Sequence, residues 1–249
     1  MRQLGSMLAS LVALALLAPV WTPGVREAAA YADTRAGTVA FAVRTERRLW
    51  GRDLDRPVQS ASVVKALLLV AYLREPSVRS RPLRRDERHL LSPMVRWSNN
   101  RKASAIVTRL GAARIDAVAH RAGMPSFHLA PPSCWGCTLI TAREQSRFFL
   151  HIDALVPERH RAYAMELLRT VVHTQRWGIA EVAPPGWTLY FKGGWGSGRG
   201  LVDHQVALLQ RGRERVSVAI LTTVSGTHRV GKATLRGVAR RLLRGLADS

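Results

Sequence analysis

Lysine is scarce in this sequence, and cysteine scarcer still. Of 38 basic residues only Lys65, Lys102, Lys192 and Lys232 are lysine. Arginine cannot give up its proton at accessible pH, whereas a desolvated lysine can, so each lysine position is worth testing for proton transfer. The two cysteines, Cys134 and Cys137, have no paired cysteine or histidine motif to complete a metal site, so no metal or other cofactor is expected. No repeat of 20 to 50 residues and no low-complexity block is present, which argues against a solenoid. After the first 20 residues no apolar run is long enough to span a bilayer. The basic residues form no tail and match no nucleic-acid motif, so no specific nucleic-acid partner is expected.

What is present is enough for one large domain or two small ones, with 47% hydrophobic residues to fill a core. The N-terminus has the order of a secretory leader: Arg2, then an almost continuously apolar stretch from Met7 to Val20, then small residues. Ala28-Ala29-Ala30 or Ala30-Tyr31-Ala32 supplies a cleavage site, which sets a leader at 1–32, a domain at 33–249 and a secreted or extracytoplasmic location. An uncleaved membrane anchor is the alternative. No cysteine lies near that region, which excludes lipid attachment there. The formal charge of +21 loses only about one unit with the leader. Such a surface attracts polyanions, and for an exported protein an anionic cell-wall polymer is the available one.

Gly37 to Thr45 reads as a strand, with a short second one at Arg48-Leu49-Trp50. Val63 to Leu73 is apolar on nearly every face, which predicts a buried helix ending before Pro76. Ser92-Pro93 predicts a helix start. Gly111 and Gly123 predict helix ends, and Thr141 to Glu144 a capping box. A further helix runs from Pro157 to about His173. Strands return at Trp187 to Phe191, Asp203 to Gln210 and Val216 to Val224, with a hairpin at Arg211-Gly212-Arg213. A terminal helix covers Lys232 to Leu246. This order predicts an antiparallel sheet completed by both chain ends beside a mainly helical lobe, with a cleft between them. The sheet lobe takes about 37–60 and 180–249, the helical lobe about 61–179.

Ser62-Val63-Val64-Lys65 places a hydroxyl and an amine on one helix face. Apolar surroundings would lower the lysine pKa and make it a base. The helix N-terminus would favour negative charge at Ser62, whose N–H is a candidate oxyanion donor. An N-capping role for Ser62 is the plainer reading. Ser98-Asn99-Asn100 follows a helix, and Lys192-Gly193-Gly194 closes a predicted strand.

In this order and placement, the three motifs resemble the signature of class A β-lactamases and penicillin-binding proteins of the DD-peptidase type. Met94 to Asn100, Gln175 to Gly178 and Lys192 to Trp195 add to the likeness. The resemblance implies an α/β (α+β) fold with a five-stranded antiparallel sheet flanked by helices. It also implies roles: Ser62 attacks a carbonyl, Lys65 accepts its proton, and Ser98 relays a proton to the leaving nitrogen. Asn100 positions Lys65 and the substrate, Lys192 attracts a substrate carboxylate, and the backbone past Gly194, at Trp195, supplies the second oxyanion donor.

Three departures stand out. Asn99 replaces an aspartate whose side chain points away from the site in relatives. Gly193 removes a hydroxyl expected to touch the substrate carboxylate. From Pro125 to Thr141, where relatives carry the glutamate that activates the deacylating water, there is no Asp or Glu. Asp116 lies too early and reads as a solvated helix residue, Glu144 reads as a helix cap, and His128 is the only titratable side chain on that loop. Cys134 and Cys137 sit there too. Export favours a local disulfide between them, with a redox role less supported for want of a βαβ context.

The expected activity is therefore acyl-enzyme chemistry on a β-lactam or related amide, with slow deacylation, by a monomer. A cell-wall peptidase acting on peptidoglycan-derived peptides, and a non-catalytic binder of wall polyanions, are the alternatives.

Overall fold

The computed structural model describes residues 21–196, 201–224 and 226–248. The apolar stretch read as a leader, Met7 to Val20, lies outside the described residues. Seven strands and nine α-helices are present among them. The main sheet has the order β2-β1-β7-β6-β5, with every neighbouring pair antiparallel. Its strands are β1 (Thr38–Arg44), β2 (Leu49–Arg52), β5 (Thr188–Gly196), β6 (Val202–Arg211) and β7 (Glu214–Thr223). The first and last thirds of the chain thus meet in one sheet, as the sequence order predicts. A separate two-stranded ribbon pairs β3 (Val58–Gln59) with β4 (Leu139–Ile140).

The period-2 rule assigns each strand residue to a face. Val39, Phe41 and Val43 of β1 share one core with Val216, Val218 and Ile220 of β7 and with α9 (His228–Leu242). Ala40, Ala42, Ala219 and Leu221 point the other way, into the helical lobe. Both faces are covered, so the strands read as near-continuous apolar runs. In the helical lobe, all nine residues of α2 (Lys65–Leu73) are buried, the outcome expected of a helix apolar on every side.

Two expectations change. Val25 to Asp33 forms a helix, α1, packed on α9 with Ala28 and Ala32 buried. The Tyr31 ring lies so close to Gly237 that a Cβ there would meet it at 2.3 Å. Arg52 donates to Ala29 O at 2.9 Å and pairs with Asp33 at 2.7 Å. Both expected cleavage points fall inside this helix, which packs as part of the described fold. Secondly, Pro93 is not at a helix start: α3 spans Arg85–Arg96 and holds it in the interior. The true start is fixed by Glu87, which accepts from Arg84 N at 2.8 Å and from the Arg81 guanidinium at 2.8 and 2.7 Å. That arginine holds the buried Glu87 carboxyl down to about 2. Pro93 instead helps end the helix, its carbonyl accepting from both Trp97 N and Asn99 N at 3.2 and 3.1 Å.

Candidate active site

Ser62 lies in a 3-10 turn, Ala61–Val64, that leads into α2. It caps nothing with its side chain, so the plainer reading of Ser62 as an N-cap falls away. The turn is entered through Ala61 at φ 45°, a left-handed conformation that costs a non-glycine residue about 1 kcal/mol or more. Ser60 secures it, its N–H donating to Thr138 O at 2.7 Å and its hydroxyl to Gly136 O at 3.3 Å.

The Lys65 amine is buried and meets four acceptors: Ser62 Oγ at 2.9 Å, Ser98 O at 2.5 Å, Ser98 Oγ at 3.1 Å and Asn100 Oδ1 at 2.7 Å. Ser98 can offer both its carbonyl and its hydroxyl because it too is left-handed, at φ 58°. Lys192, fully buried on β5, donates to Ser98 Oγ at 3.1 Å and to Gly193 O at 2.7 Å. The result is an unbroken chain from Ser62 Oγ through Lys65 Nζ and Ser98 Oγ to Lys192 Nζ. Among the described residues no carboxylate joins these four groups. Burial alone lowers Lys65 to about 7, and burial followed by the nearby Lys65 charge pushes Lys192 well down. At neutral pH Lys65 is therefore poised between base and acid.

Asn99 and Asn100 divide their work. Asn99 Oδ1 accepts from Lys102 N at 3.0 Å and caps α4 (Asn100–Leu110). Lys192 and the two glycines do not close a strand; they lie within β5, the outermost strand of the sheet. At Gly194 a Cβ would sit 2.9 Å from each of Ser60 O, Ser62 N and Val63 N, so only glycine lets β5 approach the Ser62 turn this closely. Behind it, His204 is buried and held neutral, its pKa down to about 4. Its Nδ1 accepts from Thr222 N at 3.0 Å and its Nε2 donates to Gln59 O at 2.8 Å, joining the sheet to β3.

Three aromatic groups at the site were not legible as such. Trp195 stacks on His228, their ring centroids 5.9 Å apart, and meets Trp177 edge-on at 5.9 Å. His228 is paired in turn with the buried Asp203. Trp177 lies against Gly193, its ring 3.5 Å from where a Cβ would be, and is held by Gln205, which accepts from Ile179 N and donates to Trp177 O. The third is Trp135. Its ring covers the Lys65 amine at 5.1 Å while its Nε1 donates to Ser104 Oγ at 3.0 Å. The Cys134–Cys137 disulfide, expected from the sequence, brackets it. The signal was a tryptophan framed by the only two cysteines; what it would reach depended on the fold.

The cleft, about 370 Å³, is lined by Ser62, Asn100, Ser104, Trp135, Trp195 and the disulfide among others, and by no carboxylate among the described residues. Glu144 lies elsewhere, its N–H donating to the Thr141 cap of α6 (Ala142–Leu150) and its carboxylate accepting from Ser126 N and Oγ. Asp116 is not the solvated residue expected: its carboxylate accepts from Leu129 N at 2.8 Å and ties the loop to α5 (Ala112–Arg121). His128 is exposed, 3.9 Å from Asp116, and does not line the cleft.

The fold has close counterparts among solved structures. A β-lactamase from Sphaerobacter thermophilus DSM 20745 aligns with a TM-score of 0.77 at 16% identity, over 90% of this chain and 97% of its own. The reconstructed class A enzyme of the last common ancestor of Gram-negative bacteria gives 0.78 at 17%, over 89% and 98%. The class A β-lactamase from Mycobacterium abscessus gives 0.75 at 19%, over 90% and 99%. No curated protein matches the sequence. The beta-lactamase enzyme family matches residues 79–246, which take in Ser98 to Asn100 and Lys192 to Gly194 and begin after Lys65. With two thirds of its length matched and a Ser62–Lys65 pair completing the site, the chain belongs to the beta-lactamase enzyme family.

Proposed function

We propose that the protein is a serine acyl-transfer hydrolase that opens a β-lactam or related amide on Ser62 and releases the acyl group slowly. The unbroken Ser62–Lys65–Ser98–Lys192 chain carries this reading. Ser62 Oγ attacks the carbonyl carbon as neutral Lys65 takes its proton. The developing oxyanion meets the Ser62 N–H and the Trp195 N–H beside it on β5. When the C–N bond breaks, Lys65 passes that proton on through Ser98 Oγ to the leaving nitrogen and is neutral again, while Lys192, beside Ser98, is the group that would meet a substrate carboxylate. Hydrolysing the ester then needs an activated water. The absence of a carboxylate among the described residues lining the cleft, and the Trp135 ring over Lys65, support slow turnover at this step.

A peptidase acting on wall peptides is the second reading, favoured by that same lack of a deacylating acid. We further propose a monomer exported by a leader within residues 1–20, ahead of α1.

The test is intact-mass analysis over time with benzylpenicillin, using the natural chain, Ser62→Ala and Trp135→Ala. A persistent adduct in the natural chain, absent in Ser62→Ala, is expected. Trp135→Ala should acylate and shed its adduct at least several-fold faster as water reaches the ester. Rapid loss of penicillin with no lasting adduct would overturn slow deacylation. Absence of any adduct would overturn the β-lactam reading and leave peptides to be tried.

A further inference from the structure

A second cavity, about 630 Å³ and larger than the Ser62 cleft, shares no lining residue with it. Its walls come from the end of β1 (Arg44), from Asp55, from the segment after α5 (Gly123 to Ser126), and from one face of α6 (Arg143, Glu144, Arg147). Three guanidinium groups and two carboxylates face it, and both carboxylates are already engaged. Asp55 is gripped in two-pronged fashion by Arg143 at 2.6 and 2.9 Å, which pulls its carboxyl below the usual range. Glu144 is taken up by Ser126 N, Ser126 Oγ and its own helix cap. Arg44 and Arg147 have no carboxylate partner among the described residues. Arg44 has only Ser146 Oγ, at 3.3 Å.

The arginines are also placed rather than splayed. The Arg147 side chain passes over Gly123, where a Cβ would come within 2.5 Å of Nε and 2.6 Å of Cζ. Arg44 is half-buried, and its charge is disfavoured first by that burial and then by Arg147 and Arg143 beside it. Holding like charges together around a concavity is unfavourable unless an anion joins them. Planar guanidinium forks suit phosphate oxygens, with which they form paired, charge-assisted hydrogen bonds.

We infer that the Arg44–Arg143–Arg147 cavity is a binding site for a phosphate-bearing polyanion, separate from the Ser62 cleft. The ligand bridges Arg44 and Arg147, with Arg143 held at the rim by Asp55. The source is either a free polyphosphate or a phosphodiester polymer of the cell envelope, and the two share the chemistry the site reads.

Calorimetric titration of the full chain at about 0.15 M salt, where long-range charge is screened within about 8 Å, tests this. Inorganic pyrophosphate and a short poly(glycerol phosphate) are the two probes. One-to-one saturable binding of either is expected, and the tighter probe identifies the source. Arg44→Gln/Arg147→Gln should weaken it by about tenfold or more, since two charge-assisted contacts are lost. Arg240→Gln/Arg244→Gln removes the same charge from exposed positions on and after α9 and should leave binding within about twofold. Arg147→Ala alone, an exposed position, guards against a misfolded double variant, and Ser62 acylation reports on the fold of each. Equal weakening in site and control pairs, or binding that never saturates, would overturn the site and leave only the overall positive charge.

Discussion

Lys65→Met should remove a pH dependence of stability that the natural chain carries between about pH 7 and 10. Burial lowers the folded-state amine from its ordinary 10.5 to about 7. Inside that window the unfolded chain binds a proton that the folded chain does not, so stability rises with pH, by up to about 1.4 kcal/mol per unit. Below pH 7 both states hold the proton and the penalty for burying the charge is fully felt. Above 10.5 neither holds it and the penalty is gone. The whole displacement amounts to about 5 kcal/mol, of which about 3 falls between pH 7 and 9.5. Urea denaturation of both proteins in half-unit pH steps gives the difference, to which Lys192 adds the part of its own downward shift that comes from the Lys65 charge. The hydrogen bonds lost with the amine shift that difference by a constant and leave its slope. The same amine sets the kinetics: Ser62 acylation should be half-maximal near pH 7 and fall about tenfold per unit below it. A stability difference that is flat with pH, or one that slopes only above pH 9, would refute a neutral Lys65 and with it the assignment of the base.

Other outcomes follow from neighbouring contacts. Gly194→Ala puts a methyl 2.9 Å from three backbone atoms of the Ser62 turn; acylation should fall more than tenfold and stability by about 1–3 kcal/mol, read by penicillin labelling and denaturation. Asn99→Ala should cost about 1 kcal/mol as a lost helix cap while the acylation rate stays within about twofold, whereas Asn100→Ala should slow acylation by removing an acceptor 2.7 Å from Lys65. A chain begun at Thr34 loses α1 and its packing on α9; it should melt several degrees below one begun at Thr22, at about 2–4 °C per kcal/mol lost.

The sequence made some features plain and hid others for physical reasons. Strands buried on both faces betray themselves by apolar runs, and S-x-x-K at the mouth of an all-apolar helix leaves its lysine no solvent to reach. Small residues such as Ala28, Ala30 and Ala32 were ambiguous, because the property that suits a peptidase also suits close packing of α1 on α9. Pro93 drew attention as a helix start, yet Glu87 fixes that start with charged partners six and three residues before it. The aromatic cluster was invisible because Trp177, Trp195 and His228 come from three elements that only the sheet brings together. The arginine cavity was hidden likewise, Arg44 and Arg147 being 103 positions apart in the chain.

The close approach at Gly194 has a consequence for solubility. β5 ends the sheet, and an end strand presents spare backbone donors and acceptors on which another chain can template itself. Here the turn bearing Ser62 packs on the face of β5 and β6, while the opposite margin, β2, is only four residues long. The nucleophile is thus mounted on the piece that pins this end strand. Substitutions that loosen this turn would free the end strand it anchors, so a screen for inactive variants of this protein would also collect insoluble ones.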